Sequence, residues 1–293
     1  MTSYARKASF RLLGSRLTTT ATVLSAALAG AVVVLILGFV VASAVPAIRE
    51  IGISHFVTDS AWYPTQSLYR MTPMLVGTVA VGTLAVLLAT PAGILSAVFM
   101  RYYAKGPVAS FYRAVVELLG GIPSVVYGFW GLMVIVPALA RWFPPGSCLL
   151  TGGLVLALMI LPTMTLTADA ALAAVPEEYL SGAAALGMSK SSTVVRVALP
   201  CARGGLLSGL LLESGRAIGE TMAVLMVSGN IPLVPQSLFS PVRTLTANIA
   251  LEMAYAVGKH RSALFVSGLA IGALVIVLMV LATRHSVSGS RHG

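Results

Sequence analysis

Between Arg16 and Arg49 the chain contains no Asp, Glu, Lys or Arg. Crossing about 30 Å of hydrocarbon at about 1.5 Å per residue takes about 20 apolar residues in a helix. The stretch from Thr20 to Val45 meets that length, and such gaps recur. Pro73 to Met100 lies between Arg70 and Arg101, and further gaps separate Glu117 from Arg141, Arg141 from Asp169, and Arg261 from Arg284. A sixth segment, Gly204 to Ser228, is apolar apart from Glu213, Arg216 and Glu220. The expectation is an all-α polytopic membrane protein with about six transmembrane helices, forming one domain over 1–293. Composition supports this. Charged residues make up 10% and hydrophobic ones 57%, whereas a soluble domain carries about 25% charged residues.

The net charge of +10 would suggest nucleic acid in a soluble chain. Here it is read topologically, because cytoplasmic loops are enriched in Lys and Arg. The N-terminal segment 1–18, segment 101–117, segment 169–203 and the tail hold twelve of the nineteen cations, and the alternate segments hold six. Both termini are therefore expected in the cytoplasm, with no nucleic-acid partner. Arg216 is left over, inside a span. The first span exceeds the length of a signal-peptide core, and Ala42-Ser43-Ala44 is a weak cleavage site, so it reads as an anchor. Cys148 and Cys201 fall near opposite faces and are expected to be unpaired. The histidines (His55, His260, His285, His292) sit in loops or the tail without metal-ligand spacing and read as solvated.

No GxxxxGK[ST], HExxH or GxSxG motif is present, so no nucleotide-binding loop, hydrolytic centre, metal or cofactor is expected. No segment outside the membrane exceeds roughly 45 residues. An ion gradient or a separate subunit must supply the energy.

Segment 169–203 carries Pro176 at a helix start, Glu177 and Glu178 at the positive end of the helix dipole, and Gly187 as a C-terminal cap. A short helix over about 176–186 follows, with a second from about Ser191 to Ala198 stopped by Pro200. The segment suits an interfacial connector or a helix that plugs into a partner's groove.

Two spans contain irregularities. Gly120-Gly121-Ile122-Pro123-Ser124 interrupts the third, as a packing kink or as part of a translocation path lined by unsatisfied backbone. In the fifth, the spacing of Glu213, Arg216 and Glu220 places all three on one helical face. Arg216 lies about 20 Å along the helix from Arg203, deep enough that its charge must face a bundle interior or a cavity. A self-neutralised ladder of charges and an anion path both satisfy that pattern.

Gly187, followed after nine residues by Val197-Ala198-Leu199-Pro200, resembles the EAA---G---------I-LP loop of ABC importer permeases. Ser181, Gly182 and Ala183 stand at the Glu-Ala-Ala positions. Gly120-Gly-Ile-Pro-Ser-Val-Val-Tyr-Gly128 and Gly215-Arg-Ala-Ile-Gly-Glu-Thr-Met-Ala-Val224 resemble the signature stretches of Pst-type phosphate permeases. The run from Glu220 to Val224, followed by Gly229-Asn230, is similar to the C-type subunit. Trp62-x-Pro64 and Pro73-x-x-x-Gly77-Thr78 extend the similarity to roughly residues 55–283, while Arg70 stands where the family more often has a small residue.

The resemblance implies type I importer architecture in a bacterial inner membrane. It implies partners as well: a second permease subunit in a heterodimer, two ATP-binding cassette subunits and an extracytoplasmic phosphate-binding protein, within membrane lipid. It assigns substrate translocation to Arg216, Glu220, Glu213, Pro123 and Ser124. Coupling to the ATPase falls to Ser181, Gly182, Ala183, Gly187, Leu199 and Pro200. A permease for phosphonate, sulfate or molybdate, an ion-coupled carrier and a membrane scaffold are the alternatives. The outer segment 229–260 is expected to form one interfacial or re-entrant helix of about 17 residues from Ser240-Pro241 to Gly258, with Asn248 and Glu252 arguing against lipid burial.

Overall fold

The computed structural model describes the backbone of residues 2–289 and the side chains of residues 18–280. The side chains of Arg6, Lys7, Arg11, Arg16, Arg284 and His285, and all of Arg291 and His292, lie outside the described residues. The chain is helical, and the apolar gaps become its spans. They are α1 (Thr2–Glu50), α2 (Thr72–Val98), α5 (Leu149–Ala173), α7 (Lys190–Gly219) and α10 (Gly258–Gly289). Among the described residues five helices are long and apolar enough to cross a membrane, or six when a bent pair is counted as one span.

That pair corrects the expected third span. Instead of one helix beginning near Glu117, α3 (Pro107–Gly120) and α4 (Ser124–Ala140) meet at 91°. Pro123 has no backbone N–H and adopts an extended conformation (φ −60°, ψ 142°), ending one helical ladder and starting the next. Pro107, Val108 and Phe111 lead an amphipathic helix whose Phe111 and Leu118 are exposed.

The middle of the bundle is α5, the most enclosed of the spans. It pairs most extensively with α2. The two backbones approach closely because a Cβ on Gly93 would lie 2.7 Å from Met164, and one on Gly153 would lie 2.5 Å from Leu84. Small residues at the crossing substitute close van der Waals packing for the hydrophobic drive that is missing between helices in lipid. Val81, Ala85, Leu156, Met159 and Ile160 fill the seam. By contrast, α1 is sheathed in exposed Val and Leu side chains and rests on α10, where Phe39 meets Phe265 edge-on at 5.5 Å.

Leu149 and Leu150 at the start of α5 donate their N–H groups to Ser240 and Leu238, so segment 229–244 and segment 169–203 lie at opposite ends of the bundle. At the first end, a hairpin of β1 (Trp62–Tyr63) and β2 (Leu68–Tyr69) packs against the start of α10. The segment expected to form one helix over 240–258 is instead extended to Thr244. Its hydroxyl caps α9 (Leu245–Glu252), and Gly258 opens α10 rather than ending the preceding helix. Asn248 and Glu252 are buried, though within protein. Glu252 accepts from Trp62 Nε1 at 2.9 Å and Arg243 at 2.7 Å, and pairs with His260 Nε2 at 2.8 Å. His260 is thus a half-buried partner rather than a solvated loop residue, whereas His55 is exposed beside Asp59.

At the opposite end, α6 (Glu177–Ala185) forms as expected, with Pro176 capping it from just outside and Gly187 in the left-handed region at φ +72°. The expected second short helix does not stop at Pro200. The chain widens into a π-turn over Val194–Ala198 and continues as α7. A proline clashes with the carbonyl four residues back in a regular helix; the wider turn relieves that clash. Cys148 is buried, Cys201 exposed, and both are free thiols.

Candidate functional site

The elbow, α5 and the last turns of α7 converge. Glu213 is 3% exposed, and its Oε2 accepts from the Thr163 hydroxyl of α5 at 2.8 Å. Arg216, one turn further along α7, is exposed and donates to the same hydroxyl oxygen at 3.3 Å. Thr163 therefore stands between cation and carboxylate, donating to one and accepting from the other. The Gly120 end of α3 closes on this group. A Cβ there would lie 3.7 Å from Pro162 and 3.8 Å from Thr163. Tyr127 braces the bend by donating its hydroxyl to the Leu119 carbonyl at 2.9 Å.

Glu220 departs from the expected helical face. The helix ends at Gly219, and Glu220 is extended (φ −67°, ψ 133°). Its Oε1 accepts from the Ala223 N–H at 3.2 Å, and its carbonyl accepts from Thr246 at 2.8 Å. The chain then resumes as α8 (Met222–Val227), which packs on α4. Glu220 thus marks a break in the span and ties it to α9. Glu213 and Arg216 remain on one face, whereas Pro123 and Ser124 form the elbow beside them.

Among the described residues Arg216 makes no ion pair with either glutamate. The self-neutralised ladder is absent. What remains is a guanidinium held by one hydroxyl, with most of its donor fork uncommitted. The exposed Val125, Val126, Phe129 and Met133 lie along α4. Thr163 escaped sequence reasoning because a threonine in an apolar run signals little. The preceding Pro162, inside a span, was the available clue.

A different charge cluster lies at the α6 end. Asp169 is buried, receives Arg101 Nε at 2.8 Å from beyond α2, and pairs with Arg113 of α3. It therefore fastens the elbow helix to the root of segment 169–203. On that segment Ser181, Gly182 and Gly187 are exposed, Ala183 is buried, Leu199 is half-buried and Pro200 is exposed. Open space surrounds Gly182 and Gly187, and Leu186 projects beside them with 83% of its surface exposed. No cluster of three or more His, Cys, Asp or Glu side chains capable of holding a metal occurs among the described residues.

A helical bundle with an interrupted third span, a second break at Glu220 and a short helix outside the membrane defines a polytopic permease of type I ABC-importer architecture. The chain belongs to the family described as binding-protein-dependent transport system inner membrane component, whose model matches residues 89–288. It is 34% identical over 249 residues to the phosphate transport system permease protein PstC of Mesorhizobium japonicum, covering 78% of this chain and 76% of that one. Similarity to the probable phosphate transport system permease protein PstC of Methanocaldococcus jannaschii is 32% over 271 residues, covering 85% and 86%. Among solved structures, a bacterial alginate ABC transporter in complex with its periplasmic protein matches with a TM-score of 0.62 at 16% identity, over 90% and 93% of the chains. An inward-facing MetNI methionine ABC transporter matches with a TM-score of 0.58 at 18% identity, over 75% and 94%. These two likenesses concern the fold.

Proposed function

We propose that this permease is one transmembrane subunit of an ATP-driven importer of inorganic phosphate. It would pair with a second permease, two ATP-binding cassette subunits and an extracytoplasmic phosphate-binding protein. The observation that carries the reading is Arg216, a guanidinium deep in a span that is held by Thr163 and forms no direct ion pair with a carboxylate among the described residues. Such a fork suits bidentate recognition of a tetrahedral oxyanion. Glu213, secured through Thr163, lowers the local positive potential without occupying the fork. Phosphate is then attracted but released. The relatives carrying phosphate-transport names support this choice of anion.

Both termini and segment 169–203 would face the cytoplasm, and segment 229–260 the opposite side. ATPase closure would press on 176–200, where Leu186 stands free and the vacant surface at Ser181 and Gly182 admits a partner's backbone. Through Asp169 and Arg113 that push reaches α3 and the elbow beside Arg216. Alternating access would follow as the bundle tilts, with no covalent chemistry in this chain.

Phosphate uptake in cells carrying Arg216→Gln and Arg216→Lys, with membrane level and ATPase co-purification measured, tests the reading. Loss of uptake at normal expression in the Gln variant is expected. Unchanged uptake would refute the anion path, and failure of any ATPase to co-purify with the wild type would refute the coupling.

A further inference from the structure

A second arginine without a direct ion pair sits at the hairpin end of the bundle. Arg70 follows β2 and precedes α2. Its backbone N–H is satisfied by the Ala61 carbonyl at 3.1 Å, but its side-chain Nε is enclosed and has no hydrogen-bond partner. Among the described residues its guanidinium forms no ion pair. The nearest acid in the sequence, Asp59, is committed elsewhere. It accepts from the Tyr69 N–H and pairs with His55 Nδ1, both at 2.8 Å.

An enclosed, unsatisfied donor on a charged group is costly, and native structures usually answer it with water or an ion. Nε itself is out of reach of a water molecule, but Arg70 as a whole is only half-buried. Arg70 borders a cavity of about 480 Å³ whose wall includes Ser60, Gln236, Ser240 and Pro73, and which no carboxylate lines. Pro73 lies in the first turn of the 27-residue α2, so the positive end of a long helix dipole borders the same space. Ser60 and Gln236 add neutral hydrogen-bonding groups.

We propose that this cavity is a second oxyanion site, taking an anion of the inorganic phosphate class before it reaches Arg216. The choice of phosphate, and the position upstream of Arg216, rest on the function proposed above. The oxyanion chemistry rests on Arg70 and the cavity. With one cation and no opposing acid, the site holds a small anion weakly and returns it quickly, as a station on a path should.

The test uses the full-length chain in lipid nanodiscs, with equilibrium binding of radiolabelled inorganic phosphate at fixed ionic strength. Arg216→Gln should retain a saturable binding component. Adding Arg70→Gln should weaken that component about tenfold or more, the scale set by losing charge-assisted hydrogen bonds. Gln236→Trp, placed on an exposed loop to fill the cavity, should weaken it likewise and covers the case in which Arg70→Gln misfolds. If the component is absent in Arg216→Gln, or survives both changes at unaltered affinity, the inference is overturned. Intact phosphate binding in Arg70→Gln with weakened capture of the binding protein also overturns it, assigning the guanidinium to a docking carboxylate. If the Arg70 component persists while Arg216→Gln transports normally, this site stands and the proposed translocation path falls.

Discussion

Two buried carboxylates, one packed on the middle of α5 and one near its C-terminal end, meet arginine in opposite ways. Asp169 is gripped by Arg101 and Arg113. Glu213 faces Arg216 across the Thr163 hydroxyl and makes no ion pair with it among the described residues. Direct pairing satisfies both charges and fixes geometry, which suits a joint between α3 and segment 169–203. An intervening hydroxyl keeps the cation in place yet leaves its donors available, as a transit site for an anion requires. Arginine and carboxylate thus build a fastening near the end of α5 and an open contact at its middle.

The strongest way to break this comparison is Arg216→Gln. Phosphate uptake should fall about a hundredfold or more, since two charge-assisted hydrogen bonds of about 1.5 kcal/mol or more are lost. Thermal stability in detergent should hardly change, because Arg216 has only one polar contact. Asp169→Asn should do the reverse in stability, lowering it by about 2–3 kcal/mol. That is less than the about 3–5 kcal/mol typical of a broken buried pair. The side chains of Arg101 and Arg113 keep 29% and 43% of their solvent exposure. Thermal unfolding of the purified chain measures it, and an unchanged midpoint would mean that the grip contributes nothing.

Thr163→Val sharpens the contrast at smaller scale. It preserves the branched shape and removes the hydroxyl, so uptake should drop about five- to tenfold at normal expression, for about one hydrogen bond's worth of free energy. An effect as large as that of Arg216→Gln would make the threonine, rather than the guanidinium, the principal contact.

The smallest effect concerns Asp59, a half-buried carboxylate outside the spans. Burial pushes its pKa upward, but the Tyr69 N–H and His55 outweigh this and hold it below the usual 3.8. A depressed carboxyl contributes stability above its unfolded pKa and loses it as pH falls through the folded value. Wild type should therefore lose slightly more stability than Asp59→Asn on acidification below about pH 4, as read by intrinsic fluorescence of the unfolding transition. Parallel acid profiles would remove Asp59 from the hairpin's support.

The spans were legible because desolvation of charge is severe enough to leave long uncharged runs in any chain that crosses lipid. Gly120-Gly121-Ile122-Pro123 was legible as an interruption, but its right-angle bend was not. That angle depends on Gly120 closing against Pro162 and Thr163 of another helix. The Glu213–Arg216 face followed from helical spacing. Glu220 escaped it because the helix ends one residue earlier, where a hydrogen bond from Thr246, distant in sequence, holds the extended carbonyl. His260 was misjudged for a related reason: local polarity cannot announce that it joins Glu252 beside Trp62, 190 residues from that carboxylate.

That last distance has a consequence for biogenesis. The Trp62 indole enters the nascent chain long before Glu252 exists, and His260 arrives with the final helix. The hairpin cannot reach its finished state while the middle spans are being made. Its closure must wait until α9 and α10 are in place, as expected when a long-range contact depends on a segment synthesised much later. A chain truncated before Glu252 would leave Trp62 without its acceptor.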